Sequence, residues 1–181
     1  MCLRGSVCLY QGEELGLPEA DLAFEDLRDP YGIEFWPEFK GRDGARTPMI
    51  WVTDNANGGF STAKPWLPVT AAHLSRAVAS QIGDPASMLQ HYRSALAFRR
   101  AHPALRDGAM TLPQAAQDAV WFLRTGSGET LFCAFNLGEG PVSLDLPNGE
   151  WRDVGSDLVG AAALNGQIRL GPWQMALLMR D

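Results

Sequence analysis

"SVCLYQGEELGL", Ser6 to Leu17, is the stretch on which the reading of the fold turns. Its first five residues are apolar and β-prone with no polar alternation, the pattern of a strand covered on both faces, as in a parallel sheet. Two adjacent carboxylates, Glu13 and Glu14, follow at once. In parallel α/β folds the residues just past the C-terminal strand ends build the site. Neighbours in extended chain point to opposite sides, however, so this pair is poorly placed to flank one bond as acid and nucleophile about 5 Å apart. A structural role, hydrogen-bonding loops together, is an equally good reading. The run opens only five residues into the chain with no element before it, which is odd for a central strand: either the fold is unusual or the chain is the tail of something longer.

Outward from this run, Gln11 to Pro68 is rich in Gly, Pro, Asp, Glu and Trp and keeps no sustained period. Irregular connections longer than about 15 residues are uncommon and tend to be functional. Within it, "KGRDGARTPMIW", Lys40 to Trp51, gathers Lys40, Arg42 and Arg46 around Asp43. A guanidinium offers a planar fork of donors and stays charged, which suits Arg42 to vicinal hydroxyls or a carboxylate. Arg42, Asp43 and Arg46 could equally form a salt-bridge network that ties the loop down. Phe35, Trp36, Phe39, Trp51 and Trp66 suit sugar stacking, and they also suit a small core within the loop.

Asp84-Pro85 predicts a helix start, with Asp capping free amides and Pro at the first helical position, and the helix should run to Ala101. Met88, Leu89, Tyr92, Ala95, Leu96 and Arg99 recur along one face, Arg99 and Arg100 suit the C-terminal dipole, and Pro103 stops the helix. Beyond it, Val120–Arg124, Thr130–Phe135, Val142–Leu146, Gln167–Leu170 and Trp173–Leu178 read as strands. Gly126-Ser127-Gly128 and Pro147-Asn148-Gly149 supply turns. A small antiparallel β-sandwich is expected, with the boundary near Ala104.

The chain has 181 residues, is 46% hydrophobic and carries a formal charge of −6. It is long enough for a real core, and its acidity argues against nucleic-acid binding, which needs a basic face. No apolar run spans a bilayer and no signal peptide is visible, so a cytoplasmic location is the default. Cys2, Cys8 and Cys133 have neither disulfide nor zinc spacing and read as buried, reduced thiols. His73, His91 and His102 are scattered and read as surface or helix-end residues. No nucleophile elbow, zinc motif, phosphate loop or dinucleotide fingerprint occurs.

In order, "SVCLYQGEELGL", "FEDLRDPYGIEFWPEFKGRDGARTPMIW" and "GGFSTAKPWLPV" resemble the α-amylase superfamily of glycoside hydrolases, in its α-glucosidase and oligo-α-glucosidase branch. The resemblance implies α/β plus all-β architecture: residues 1–103 as the last βα unit and long loop of a (β/α)8 TIM barrel, and residues 104–181 as a C-terminal β-sandwich. A barrel of roughly 250 residues does not fit before this tail, so the N-terminal barrel portion of the same enzyme is an expected partner. The implied chemistry is retaining cleavage of short α-linked glucosides, maltooligosaccharides or isomaltooligosaccharides, by hydrolysis or glucosyl transfer. The three catalytic carboxylates would lie upstream, so no catalytic residue is expected in this chain, and neither metal nor cofactor. By the same resemblance Arg42 would bind hydroxyls of the non-reducing glucose, Asp43 and Arg46 would hold that loop, and Glu19 is a weaker candidate at the leaving-group side. Gly5-Ser6-Val7 stands where many relatives have Gly-Thr-Pro, and Ile50 where Gln is frequent; both bear on fine specificity. A non-catalytic carbohydrate-binding or structural module, or one piece of a split barrel, remain as alternatives.

Overall fold

The computed structural model describes residues 1–155, 162–164 and 166–180. The chain divides into two compact units, Cys8–Arg93, and Met1–Val7 together with Ser94–Asp181.

The second of these is built on antiparallel sheets. The larger has the strand order β1 (Ala109–Met110), β3 (Ala119–Gly126), β4 (Glu129–Asn136), β9 (Met175–Arg180), β6 (Arg152–Asp153), with β2 (Gln114–Ala116) also paired to β3. The smaller runs β5 (Val142–Asp145), β8 (Gln167–Leu170), β7 (Ala162–Leu164). The β3–β4 hairpin turns through Ser127 (φ 52°) and Gly128 (φ 83°), two successive left-handed residues whose twist matches the strands they join. One core joins the two sheets, with Phe132, Ala134, Ala176 and Leu178 meeting Val142, Leu144, Ile168 and Leu170. A second core covers the other face of the large sheet, where Phe122, Leu131, Cys133, Leu177 and Met179 pack against Cys2, Ala104 and Leu105. The strands β4 and β9 are therefore buried on both faces, which is why "TLFCAF" and "MALLM" lack polar alternation.

One side chain in that second core is charged. Arg124 is wholly buried, and its guanidinium donates to the carbonyls of Cys2 (2.6 Å) and Gly108 (3.1 Å) and, more weakly, Ala109 (3.4 Å). Arg99 holds the same N-terminal segment through the carbonyls of Met1, Leu3 and Gly5 at 2.6, 3.2 and 2.6 Å. His102 pairs with Glu129 at 2.8 Å while the other oxygen of Glu129 accepts from Ala104 N, so α5 (Pro103–Arg106) is capped from β4.

In Cys8–Arg93 the described residues form no strand. Single 3₁₀ turns at Glu13–Leu15, Phe24–Asp26, Asp43–Ala45 and Ala56–Gly59 alternate with short helices, α1 (Pro30–Glu34), α2 (Ala71–Leu74) and α3 (Val78–Gln81), before α4 (Met88–Ala101) begins. Leu22, Leu27 and Leu67 make a small core with half-buried Trp36. Buried Gln81 ties three segments together. It donates to the carbonyls of Leu15 and Arg76 and accepts from Leu89 N, while Ser87 Oγ donates to its carbonyl.

Three expectations change. Ser6–Tyr10 is exposed and unpaired rather than a covered strand. A strand exists by its ladder, and no described strand of the chain offers it a partner. The long helix starts at Met88, not Asp84: Asp84 accepts from Ala86 N in its own turn, and Ser87 Oγ accepts from Gln90 N as the actual cap. Cys8 is exposed, whereas Cys2 and Cys133 are buried.

Candidate substrate-binding loop

The basic stretch Lys40–Arg46 is fixed by a reciprocal clasp with Arg28–Tyr31. Asp43 is fully buried, and its Oδ2 accepts from the amides of Arg28 (2.6 Å) and Asp29 (2.7 Å). Asp29 returns the grip: its Oδ2 accepts from the amide of Arg42 at 3.0 Å, while its Oδ1 accepts from Tyr31 N and caps α1. Each carboxylate thus holds the backbone beside the other. Such charge-assisted bonds to amides are short and roughly twice as strong as neutral ones. The amide of Arg42 heads the influences that hold the Asp29 carboxyl below its usual value, with the Tyr31 amide and the Arg46 charge adding to it. Two glycines make the close approach possible. A Cβ on Gly41 (φ 73°) would sit 2.8 Å from that of Asp29, and one on Gly44 would meet the Ala20 carbonyl at 2.4 Å.

The salt-bridge network expected among Arg42, Asp43 and Arg46 is absent from the described residues. Asp43 spends its charge on backbone amides and its other oxygen has no partner, because the 3₁₀ turn Asp43–Ala45 points it into the clasp. Arg46 lies 3.8 Å from Asp29 instead, and Lys40 pairs with Asp21 over the Trp36 ring. The Arg42 side chain is exposed and finds no partner among the described residues. It borders an open hollow of about 640 Å³ with Arg28, Arg46, Tyr31, Phe39 and Trp66. The aromatic residues divide between the two uses foreseen: Trp36 joins the small core, whereas Phe35, Phe39, Trp51 and Trp66 stay about half exposed or more.

Glu13 and Glu14 do not lie in extended chain. Gly12 (φ 101°) and Gly16 (φ 64°), both left-handed, bracket them in one 3₁₀ turn that buries Leu15. Glu14 Oε2 accepts from Gly12 N at 2.9 Å, a bond within the turn rather than across loops. Burial raises the Tyr92 phenol above its ordinary value, and the Glu13 and Glu14 carboxylates beside it raise it further. Glu19 is exposed, with its Cγ against Gly44, and borders a small hollow shared with Tyr10, Thr47 and His73.

His73 is buried rather than superficial. Its Nε2 donates to the Pro18 carbonyl at 2.7 Å, which leaves Nδ1 to accept from Thr47 Oγ1 at 3.3 Å. Sequence reasoning missed Asp29 as well, although Asp29-Pro30 carries the helix-cap signature that was recognised at Asp84-Pro85. Among the described residues no three of His, Cys, Asp and Glu are grouped to hold a metal ion, and no helix is long and apolar enough to cross a membrane.

The family model for the α-amylase catalytic domain matches residues 1–108. The chain belongs to the α-amylase family. It is 49% identical over 173 residues to a probable α-glucosidase of Rhizobium meliloti (strain 1021), covering 96% of this chain and 31% of that protein. Against an oligo-1,6-glucosidase of Heyndrickxia coagulans it is 34% identical over 169 residues, covering 83% of this chain and 30% of the relative. Its backbone superposes on a crystal structure of the α-glucosyl transfer enzyme XgtA with a TM-score of 0.92 at 46% identity, over 99% of this chain and 34% of that one. The chain thus spans about a third of the length of these relatives.

Proposed function

We propose that this segment is the substrate-binding wall and C-terminal β-sandwich of an α-glucosidase-type glycoside hydrolase. In this reading residues 1–103 complete a (β/α)8 barrel and residues 104–181 form the sandwich. Arg42 reads sugar hydroxyls, Asp43 and Arg46 steady its loop, and Glu19 borders the leaving-group side. The acid, the nucleophile and the third carboxylate lie outside the chain, in the N-terminal barrel portion. The observation that carries the reading is the exposed guanidinium of Arg42, without a partner among the described residues, standing on a buried two-carboxylate clasp. Fixing the backbone while leaving the fork free is what hydroxyl recognition requires, because a pre-ordered donor loses little freedom on binding.

A short α-linked glucoside is the expected substrate, and a cytoplasmic location goes with the reading. The name of the 46%-identical α-glucosyl transfer enzyme makes transfer to an acceptor sugar a second outcome of the same chemistry. The purified 181-residue chain should not cleave an aryl α-glucoside, and joined to its N-terminal barrel portion it should. Product analysis then separates hydrolysis from transfer. Turnover by the isolated chain, undiminished by Arg42→Ala, would refute the proposal. A protease-resistant fragment beginning near Ala104 that binds sugar by itself would favour the non-catalytic module instead.

A further inference from the structure

We infer that Asp29 is the positioning residue of the sugar-binding loop: it sets where Arg42 stands and acts on the ligand only through it. The inference rests on the reading of Arg42 given above and adds a residue to it.

The argument is one of connectivity. The segment Lys40–Arg46 is reached from Arg28–Tyr31 by two kinds of bond. Asp43 reaches out to the amides of Arg28 and Asp29, which fixes its own turn but does not touch the amide of the preceding residue. The Arg42 carbonyl closes that turn by accepting from Ala45 N at 3.2 Å, but its amide is held by the Asp29 carboxylate, at 3.0 Å, whose second oxygen is committed to Tyr31 N. A side chain pinned at one oxygen by a helix cap cannot swing, so the Arg42 amide inherits the rigidity of α1. Gly41 closes the gap from the other side, its left-handed backbone lying against the Asp29 side chain. Arg46, at 3.8 Å from the same oxygen, balances the carboxylate charge, so Asp29 does not draw the Arg42 guanidinium back onto itself. Arg42 is left with an ordered backbone and a free fork.

Asparagine is the discriminating substitution, being isosteric but having one acceptor oxygen where two are used. In Asp29→Asn the helix cap or the Arg42 bond must go. In Asp29→Ala, which removes both bonds, we expect the Arg42 amide to exchange with solvent at least about tenfold faster by NMR in this chain, with exchange at Phe132 in β4 unchanged. In the full-length enzyme carrying this segment, Asp29→Asn and Asp29→Ala should raise KM for a short α-glucoside about as much as Arg42→Ala. The double variant Asp29→Ala/Arg42→Ala should be no worse than Arg42→Ala alone, since one residue acts through the other. An unchanged exchange rate at Arg42, or an additive double variant, would overturn the inference while leaving the sugar-binding role of Arg42 standing. If Arg42→Ala itself leaves KM untouched, the site reading fails and this inference falls with it.

Discussion

Replacing Arg124 with Met removes, in one step, the donor of three backbone carbonyls while keeping most of the side-chain volume. The bonds to Cys2 O and Gly108 O, at 2.6 and 3.1 Å, are well formed, and the 3.4 Å contact to Ala109 O adds little. A buried acceptor left without a donor costs about 1–3 kcal/mol, so the two good bonds put the loss at roughly 2–6 kcal/mol. Against this, Met relieves the burial of a fully desolvated charge, a gain on the order of 1–3 kcal/mol when apolar side chains replace buried ionic ones. The balance is a net destabilisation of about 1–3 kcal/mol, because the acceptors remain when the donor goes. Against a total stability of about 5–15 kcal/mol this is large. Urea denaturation followed by circular dichroism reads it directly: with a slope near 2 kcal/mol per molar, the midpoint should fall by roughly 0.5 to 1.5 M. Arg169→Met, on the exposed face of β8, is the control and should move the midpoint by no more than about 0.3 M, as surface substitutions stay within about 0.5 kcal/mol. A midpoint for Arg124→Met equal to or above that of the parent would mean that desolvating the guanidinium costs as much as its bonds return, and the reasoning would fail.

Two further outcomes follow from the loop unit. Gly44→Ala drives a methyl into the Ala20 carbonyl at 2.4 Å, a rigid backbone neighbour, and should destabilise the Glu19–Arg46 region by about 1–3 kcal/mol, seen as faster proteolysis within that loop. In an alkaline titration followed by phenolate absorbance, one of the three tyrosines, Tyr92, should ionise above the ordinary phenol range, and Glu13→Gln should bring it back down. Because the folded value lies above the unfolded one, the stability Tyr92 contributes is complete below the ordinary phenol range and is lost as pH rises through the folded value.

What could be read ahead of the structure was what depends on local pattern. Thr130–Phe135 and Trp173–Leu178 read as strands, and Gly126-Ser127-Gly128 read as a turn, because period and turn chemistry are carried by neighbouring residues. "SVCLY" has the same texture but is exposed and forms no strand in this chain, since a run of apolar residues reports a tendency to pair and says nothing of whether a partner is present. At the candidate site Arg42 and Asp43 stood out by their types, but the only acid the sequence offered beside Arg46 was Asp43. The structure supplies Asp29, fourteen positions from Asp43, and no spacing rule predicts a clasp between two irregular segments. His73 was passed over for a related reason. A lone histidine declares its role only when the carbonyl and hydroxyl that meet its ring are known.

The grip of Arg99 and Arg124 on the first residues of the chain also bears on how the molecule is made. Cys2 and Arg124 are 122 positions apart, so at about 5–20 residues per second roughly 6–24 s of translation separate the emergence of one from that of the other. During that interval the opening residues of the chain wait on the ribosome without their guanidinium donors, and their site on the β-sheet does not yet exist. Residues 8–93 can settle in this time. The β-sheet unit cannot close until Met175–Arg180, its ninth strand, has been made.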